Sequence, residues 1–253
     1  MPRPSLPDVL DRMSTDERAD KAKLKIKQVV DRISGLLALA ESNALIVYSP
    51  LLSSQIPPST AGHAFNVFQR AMHGFEIVQL CALWDKPDYS LAHNSIPTVH
   101  ALIDRDDVVE RLVDDVRNFW PDRTVSQAPL GQALANHNSR MRREEAGKAL
   151  TVLSALRKSV PQTLASNLLT SVRNLRDRDL AHALERTRAE ERATVAPMKY
   201  GDEKDLLAVT TPVMEDLYLW ITGTNFDLDE NRRLQRERAE ALWGNCSFSI
   251  PSR

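Results

Sequence analysis

The sequence predicts an all-α protein, a bundle of about six to seven helices, and three observations carry that prediction. Glycine is scarce, at 8 of 253 residues, which suits long uninterrupted helices because glycine weakens them and mainly serves turns. Apolar residues recur three and four apart over long stretches, the spacing that gathers them on one helical face. No stretch of useful length alternates apolar with polar residues as a half-buried strand would, and there is no internal repeat or low-complexity tract. Hydrophobic residues make up 42% of the chain, enough for a core, and the length allows one large domain or two small ones.

Residues 1–14 carry prolines and charges and read as a flexible tail. Ser14 or Thr15 caps the first helix, with Asp16 and Glu17 in its first turn, where acids complement the helix dipole. Ile26, Val30, Ile33, Leu37 and Ala40 carry that helix to about Val47, and three prolines within 49–58 break it. Ser59 or Thr60 caps a second helix running to Trp84. It bears two adjacent apolar stripes, Phe65-Phe68-Met72-Phe75 and Ala61-Ala64-Val67-Ala71-Gly74-Val78-Cys81. Such wide coverage predicts burial on several sides, as the central helix of the core or of a dimer interface.

Asn94 or Ser95 caps a third helix with Pro97 in its first turn, where the missing N–H is not needed. It extends to about Asn118, with room for a break at 104–106, and 119–129 reads as a loop. A fourth helix spans about 130–158. Ser159-Val160-Pro161 restarts the chain into a fifth, whose stripe is Leu164, Leu168, Val172 and Leu175. Residues 186–201 lack a stripe and read as a long connection. The sixth helix opens at Asp202-Glu203, runs kinked through Pro212 and stops at Gly223. A charged helix over 229–243 and loose last residues complete the chain. The expected division is a tail over 1–14, a helical domain over 15–225, and a C-terminal charged helix and tail over 226–253.

Lys plus Arg (33) nearly balances Asp plus Glu (34), so there is no overall basic field, and any RNA contact depends on a local patch. Cys81 and Cys246 are far apart and form no Cys-x-x-Cys pair, which points to a reducing compartment rather than a disulfide framework. The N-terminus lacks the apolar core of a secretory signal. The longest apolar runs fall short of a membrane span. A cytoplasmic protein with no membrane partner is expected.

Chemistry concentrates in Arg173-Asn174-Leu175-Arg176-Asp177-Arg178-Asp179-Leu180-Ala181-His182. A guanidinium such as that of Arg176 can clamp a phosphate with two parallel hydrogen bonds and stays charged at any working pH. An imidazole such as that of His182 titrates near neutrality and can accept or return a proton. Six residues of regular helix turn the side chains roughly 240° past a full turn, so Arg176 and His182 do not converge on one phosphate unless the helix end loosens near 179–182 or two chains share the site. Arg178 and His182, four apart, share a face.

The phrase Arg-Asp-x-x-x-x-His, with Leu180-Ala181 before the His, resembles the signature of the HEPN superfamily of helical nucleotide-binding and RNA-cleaving domains. The resemblance is closest to its abortive-infection (Abi U-type) members. Ala82-Leu83-Trp84-Asp85-Lys86-Pro87-Asp88 followed by Asn94-Ser95-Ile96-Pro97 looks like the helix end and connection of those members. The similarity covers about residues 15–225. It implies a HEPN-like bundle in which two motif helices meet at a homodimer seam. It further implies a metal-independent endoribonuclease of the toxin or phage-defence kind, with RNA as substrate and an antitoxin protein as a possible partner. In that scheme His182 is the general acid or base, Arg176 stabilises the phosphorane, and Asp177 orients a side chain or the ribose. Arg173, Arg178 and, more weakly, Asn174 hold flanking phosphates.

The chain departs from HEPN members that carry a Tyr shortly after the His, since Ala183-Leu184-Glu185 supplies none. The six arginines between 171 and 192 are interleaved with five acids, the pattern of a solvated face. His93, His100 and Asp104 lie at helical spacing but lack the partners of a metal motif, and neither metal nor cofactor is expected. His63 and His73 read as hydrogen-bonded structural residues, and Asp106-Asp107 and Asp114-Asp115 as helix surface. The rival function is a non-catalytic helical module that binds a nucleotide or dimerises.

Overall fold

The computed structural model describes residues 4–119, 129–182 and 184–250; of the expected 119–129 loop, 120–128 lie outside the described residues. No strand occurs among them, as predicted, but the helices number eleven rather than six to seven. The long ones are α2 (Thr15–Ile46), α4 (Thr60–Leu83), α7 (Pro129–Leu164) and α10 (Asp202–Thr222). Between and around them lie α1 (Leu6–Arg12), α3 (Pro50–Ser53), α5 (Ile96–Ile103), α6 (Asp106–Phe119), α8 (Asn167–Leu175), α9 (Arg188–Arg192) and α11 (Leu228–Trp243). Three of the extra helices are short pieces that hydrophobic periodicity does not register, and the fourth arises where the expected third helix divides into α5 and α6 at 104–105, within the break allowed for at 104–106. Thus α1 and α9 each rest on a capping box, Ser5 with Asp8 and Thr187 with Glu190, and bury no residue.

The chain forms two compact units. The first comprises Met1–Val29, Trp84–Leu164 and Thr210–Phe226. Its core includes Ile26, Val99, Leu102, Val108, Leu112, Leu153, Val160 and Leu217. Trp84, fully buried, donates its indole N–H to Thr210 Oγ1 at 2.9 Å. Arg18 caps the C-terminal end of α5, donating to the carbonyls of Ala101 (2.7 Å) and Leu102 (2.9 Å), where a cation meets the negative end of the helix. Ser95 is the α5 N-cap, accepting from Thr98 N–H at 3.3 Å, and Pro97 falls in the first turn as the sequence predicts.

One expectation is corrected here. Residues 159–161 do not restart the chain, because α7 runs through Pro161 to Leu164 and the break falls at 165–166. Pro161 has no N–H for the Arg157 carbonyl one turn earlier, and the His100 imidazole Nε2 lies 3.1 Å from that carbonyl. His100 therefore occupies the gap left by the proline and is accounted for without a metal.

The second unit comprises Val30–Leu83, Ala165–Val209 and Asp227–Arg253. Ile33, Leu37, Ile46, Ile77, Leu80, Leu169, Val172 and Leu206 form its core. Arg232 and Arg236 on α11 both reach Glu41 of α2, at 2.5 and 3.0 Å, and Glu41 is 4% exposed. Of the last residues, expected to be loose, Phe248 is held: its N–H donates to Gln55 Oε1 at 3.0 Å and its ring meets Phe65 edge-on, while 251–253 lie outside the described residues. The central helix α4 is not buried on several sides. Only its last two turns are enclosed, while Val67 (55%), Phe68 (39%) and Phe75 (52%) are exposed.

Candidate functional site

The motif lies in the second unit, on α8 and the turn that follows. Ser166 caps α8, and Leu169 and Val172 bury its inner face. At Arg176 the helix widens: Arg176–Leu180 forms a π turn, closed by Ala181 N–H to the Arg176 carbonyl at 2.8 Å. A π turn carries an i→i+5 bond, is rare, and is frequently found at functional sites. Leu184 N–H then reaches back to the Arg178 carbonyl at 3.1 Å. The helix end thus loosens where a regular helix would keep Arg176 and His182 apart. The turn packs on α4 at Gly74, where a Cβ would come within 3.0 Å of Leu180 Cδ2. A side chain there would make the leucine give way by a few tenths of an ångström.

Arg176 is one-fifth exposed, and its Nε donates to Asp177 Oδ1 at 2.8 Å. The carboxylate thus orients the guanidinium beside it. His182 is exposed and makes no hydrogen bond among the described residues. Arg173 is half-buried on α8. Arg178 is largely exposed and pairs with Glu190 at 3.2 Å. Arg178, Arg186, Glu185 and Glu190 line a shallow recess of about 370 Å³ beside the motif.

Asn174 faces inward, at 8% exposed. Its amide donates to Glu190 Oε1 at 2.9 Å and its oxygen accepts from the Thr187 hydroxyl. Both ends of the side chain thus fasten the start of α9 to the motif helix, leaving little of it to meet a phosphate. Glu190 is held below the usual carboxylate range first by the Thr187 backbone N–H, then by Asn174 and Arg178. The other histidine candidate, His93, sits 3.9 Å from Asp88. Among the described residues no group of three or more His, Cys, Asp or Glu side chains could hold a metal ion.

The residues that sequence reasoning missed lie nearby in the same unit, around α4. Glu203, fully buried at the start of α10, accepts from the Tyr48 hydroxyl at 2.8 Å and from Gly201 N–H at 3.1 Å, with His73 Nε2 3.9 Å away. Burial pushes its carboxyl up, but His73, the backbone N–H groups and the Tyr48 hydroxyl outweigh that and hold it at about 2. Glu76, 2% exposed, has one hydrogen bond, from Asn43 Nδ2 at 2.6 Å. Burial keeps it above the ordinary range, and the Glu203 charge adds to the effect. Two acids with oppositely shifted ionisation thus lie in one cluster. The signal in the sequence was a lone glutamate between the apolar positions Phe75 and Ile77.

This opposition has a measurable sign. Because the fold favours protonated Glu76, its contribution is present below the unfolded value of 4.5 and is lost as pH rises through the raised folded value. Glu76→Gln keeps the oxygen that Asn43 needs and removes the charge. Thermal unfolding of the variant should match wild type near pH 4 and occur at higher temperature near pH 8. A variant less stable than wild type at pH 8 would contradict this account.

Compared with known proteins, the chain matches the family described as HEPN_AbiU2 (AbiU2) over residues 23–242. No curated protein and no solved structure matches it.

Proposed function

The chain belongs to the HEPN_AbiU2 family, and on that premise we propose that it is a metal-independent endoribonuclease of the toxin or phage-defence kind. The observation that carries the reading is the π turn, which holds an Asp177-oriented Arg176 and leads directly into an exposed His182. In the proposed reaction the ribose 2′-hydroxyl attacks the adjacent phosphorus and the 5′-oxygen leaves. His182 moves the proton as general base or acid, and Arg176 stabilises the charge on the phosphorane. Asp177 orients Arg176. Arg173 and Arg178 hold flanking phosphates, while Asn174 fixes the backbone that carries them rather than contacting RNA.

A homodimer and a cytoplasmic location belong to the same proposal. The exposed Val67, Phe68 and Phe75 on α4 supply an apolar face suited to a second chain. No helix among the described residues is long and apolar enough to cross a membrane. An antitoxin partner follows from the family reading alone.

The test is chemical. Purified protein is expected to cut single-stranded RNA in the presence of EDTA, to leave 2′,3′-cyclic phosphate ends, and to spare a strand whose cut site carries a 2′-deoxy sugar. Activity abolished by EDTA and restored by magnesium would overturn the mechanism. A protein that cuts no RNA at all would return the reading to a non-catalytic binding module.

A further inference from the structure

Tyr200 sits at the tip of a turn over 199–202, with 68% of its surface exposed. The turn is closed twice: Asp202 N–H donates to the Lys199 carbonyl at 3.1 Å, and the Asp202 carboxylate accepts from Lys199 N–H at 2.8 Å. Its third position is Gly201 with φ +106°, a conformation that side-chain-bearing residues avoid and that type II turns require there. The Tyr200 ring is braced from behind. It meets the Tyr48 ring edge-on, centroids 5.1 Å apart, and the His73 ring at 6.0 Å. Tyr48 and His73 are themselves set around the buried Glu203, by the Tyr48 hydrogen bond and by the 3.9 Å approach of His73.

The exposed aromatic ring is held in place by its backbone and by two half-buried neighbours. It loses little further freedom when something stacks on it. We propose that Tyr200 is a stacking platform for an unpaired base of single-stranded RNA. The inference rests on the ribonuclease reading given above and names a subsite for it. Its place in the unit supports this: His73, which braces Tyr200, is followed in α4 by Gly74, against which Leu180 of the motif turn packs. One helix therefore positions both the motif turn and the aromatic platform. Lys199 and Lys204 are outnumbered by Asp202, Glu203 and Asp205 in the same stretch, so recognition falls to the ring face rather than to a phosphate-attracting field. Stacking on an aromatic accepts any base, since every base presents a π face.

The experiment titrates a short fluorescent single-stranded oligonucleotide with 2′-O-methyl sugars, which the 2′-hydroxyl chemistry cannot cut, against the full chain. Wild type, Tyr200→Ala, Tyr200→Leu and Tyr200→Phe are compared at several salt concentrations. The ring is exposed, so the variants are expected to fold. Tyr200→Ala and Tyr200→Leu should bind roughly 5- to 150-fold more weakly, the range for losing one stacked base. Tyr200→Phe should stay close to wild type, and the salt dependence should be unchanged because no charge is removed. Equal binding by wild type and Tyr200→Ala overturns the platform while leaving the nuclease reading intact. Binding by Tyr200→Leu as tight as by Tyr200→Phe overturns it as well, by showing a merely apolar contact. A change in the mass of Tyr200→Ala by light scattering, with RNA binding unaltered, assigns the ring to a protein contact instead. Failure of wild type to bind the oligonucleotide at all overturns the RNA reading itself.

Discussion

His182→Ala is expected to lower RNA cleavage by about 10²-fold or more, the usual scale for removing a general acid or base. The substitution isolates chemistry from folding, because His182 is exposed and makes no hydrogen bond among the described residues. Replacements at such positions usually change stability by no more than about 0.5 kcal/mol. Circular dichroism and the unfolding midpoint should therefore match wild type while the rate collapses. Arg176→Lys is the companion variant. It keeps the charge but loses the planar fork and its oriented bond to Asp177, so it too should cut slowly. If each site takes its Arg from one chain and its His from another, mixed inactive Arg176→Ala and His182→Ala chains should regain part of the activity. Equal cleavage by His182→Ala and wild type would sink the catalytic assignment.

Glu203→Ala carries the second large effect, on stability. Glu203 is fully buried and accepts from Tyr48 and Gly201, with His73 beside it. Removing the acceptor leaves those groups with none, and breaking a buried charged network in this way costs about 3–5 kcal/mol. The ionisation gives the same scale. A carboxyl held at about 2 instead of 4.5 contributes about 3 kcal/mol at 1.36 kcal/mol per unit. The folded value is depressed, so that stability is present above pH 4.5 and is lost as pH falls toward 2. Urea denaturation should show Glu203→Ala far less stable than wild type at pH 7, with the gap closing near pH 2–3. A gap that persists unchanged at acidic pH would assign the loss to packing rather than to the charge.

Much of the helical layout was legible because the residues that start and stop helices act locally. Ser95 with Pro97, the acids after Ser14, and Gly223 at φ +71° mark boundaries by their own backbone chemistry. The Arg176–His182 phrase was legible for the same reason. What periodicity could not deliver was anything decided by distant partners. Pro161 reads as a break, yet the helix continues because His100, far away in sequence, sits at the carbonyl the proline abandons. The apolar stripes of α4 read as core, yet Val67 and Phe75 are exposed, since an apolar pattern specifies a surface and not what covers it. Asn174 reads as a polar group available to RNA, and only the fold shows its amide engaged by Thr187 and Glu190. The Glu76–Glu203 cluster joins residues 127 positions apart in the numbering, beyond the reach of any spacing rule.

The π turn also acts as a phase shifter. Val172 and Leu180 are eight residues apart, which at about 100° per residue leaves them roughly 80° out of step on a regular helix. An i→i+5 turn holds more residues than an α-helical one, so each step from Arg176 to Leu180 turns the chain by less than in a regular helix and brings the leucine closer to the direction of Val172. That realignment is what delivers Leu180 to the glycine on α4. The extra residue is therefore a fixed part of the chain's arithmetic. A one-residue deletion within 177–179 is expected to straighten the helix, swing the leucine off its seat and re-aim His182. In this turn the chain's length is as much constrained as its composition.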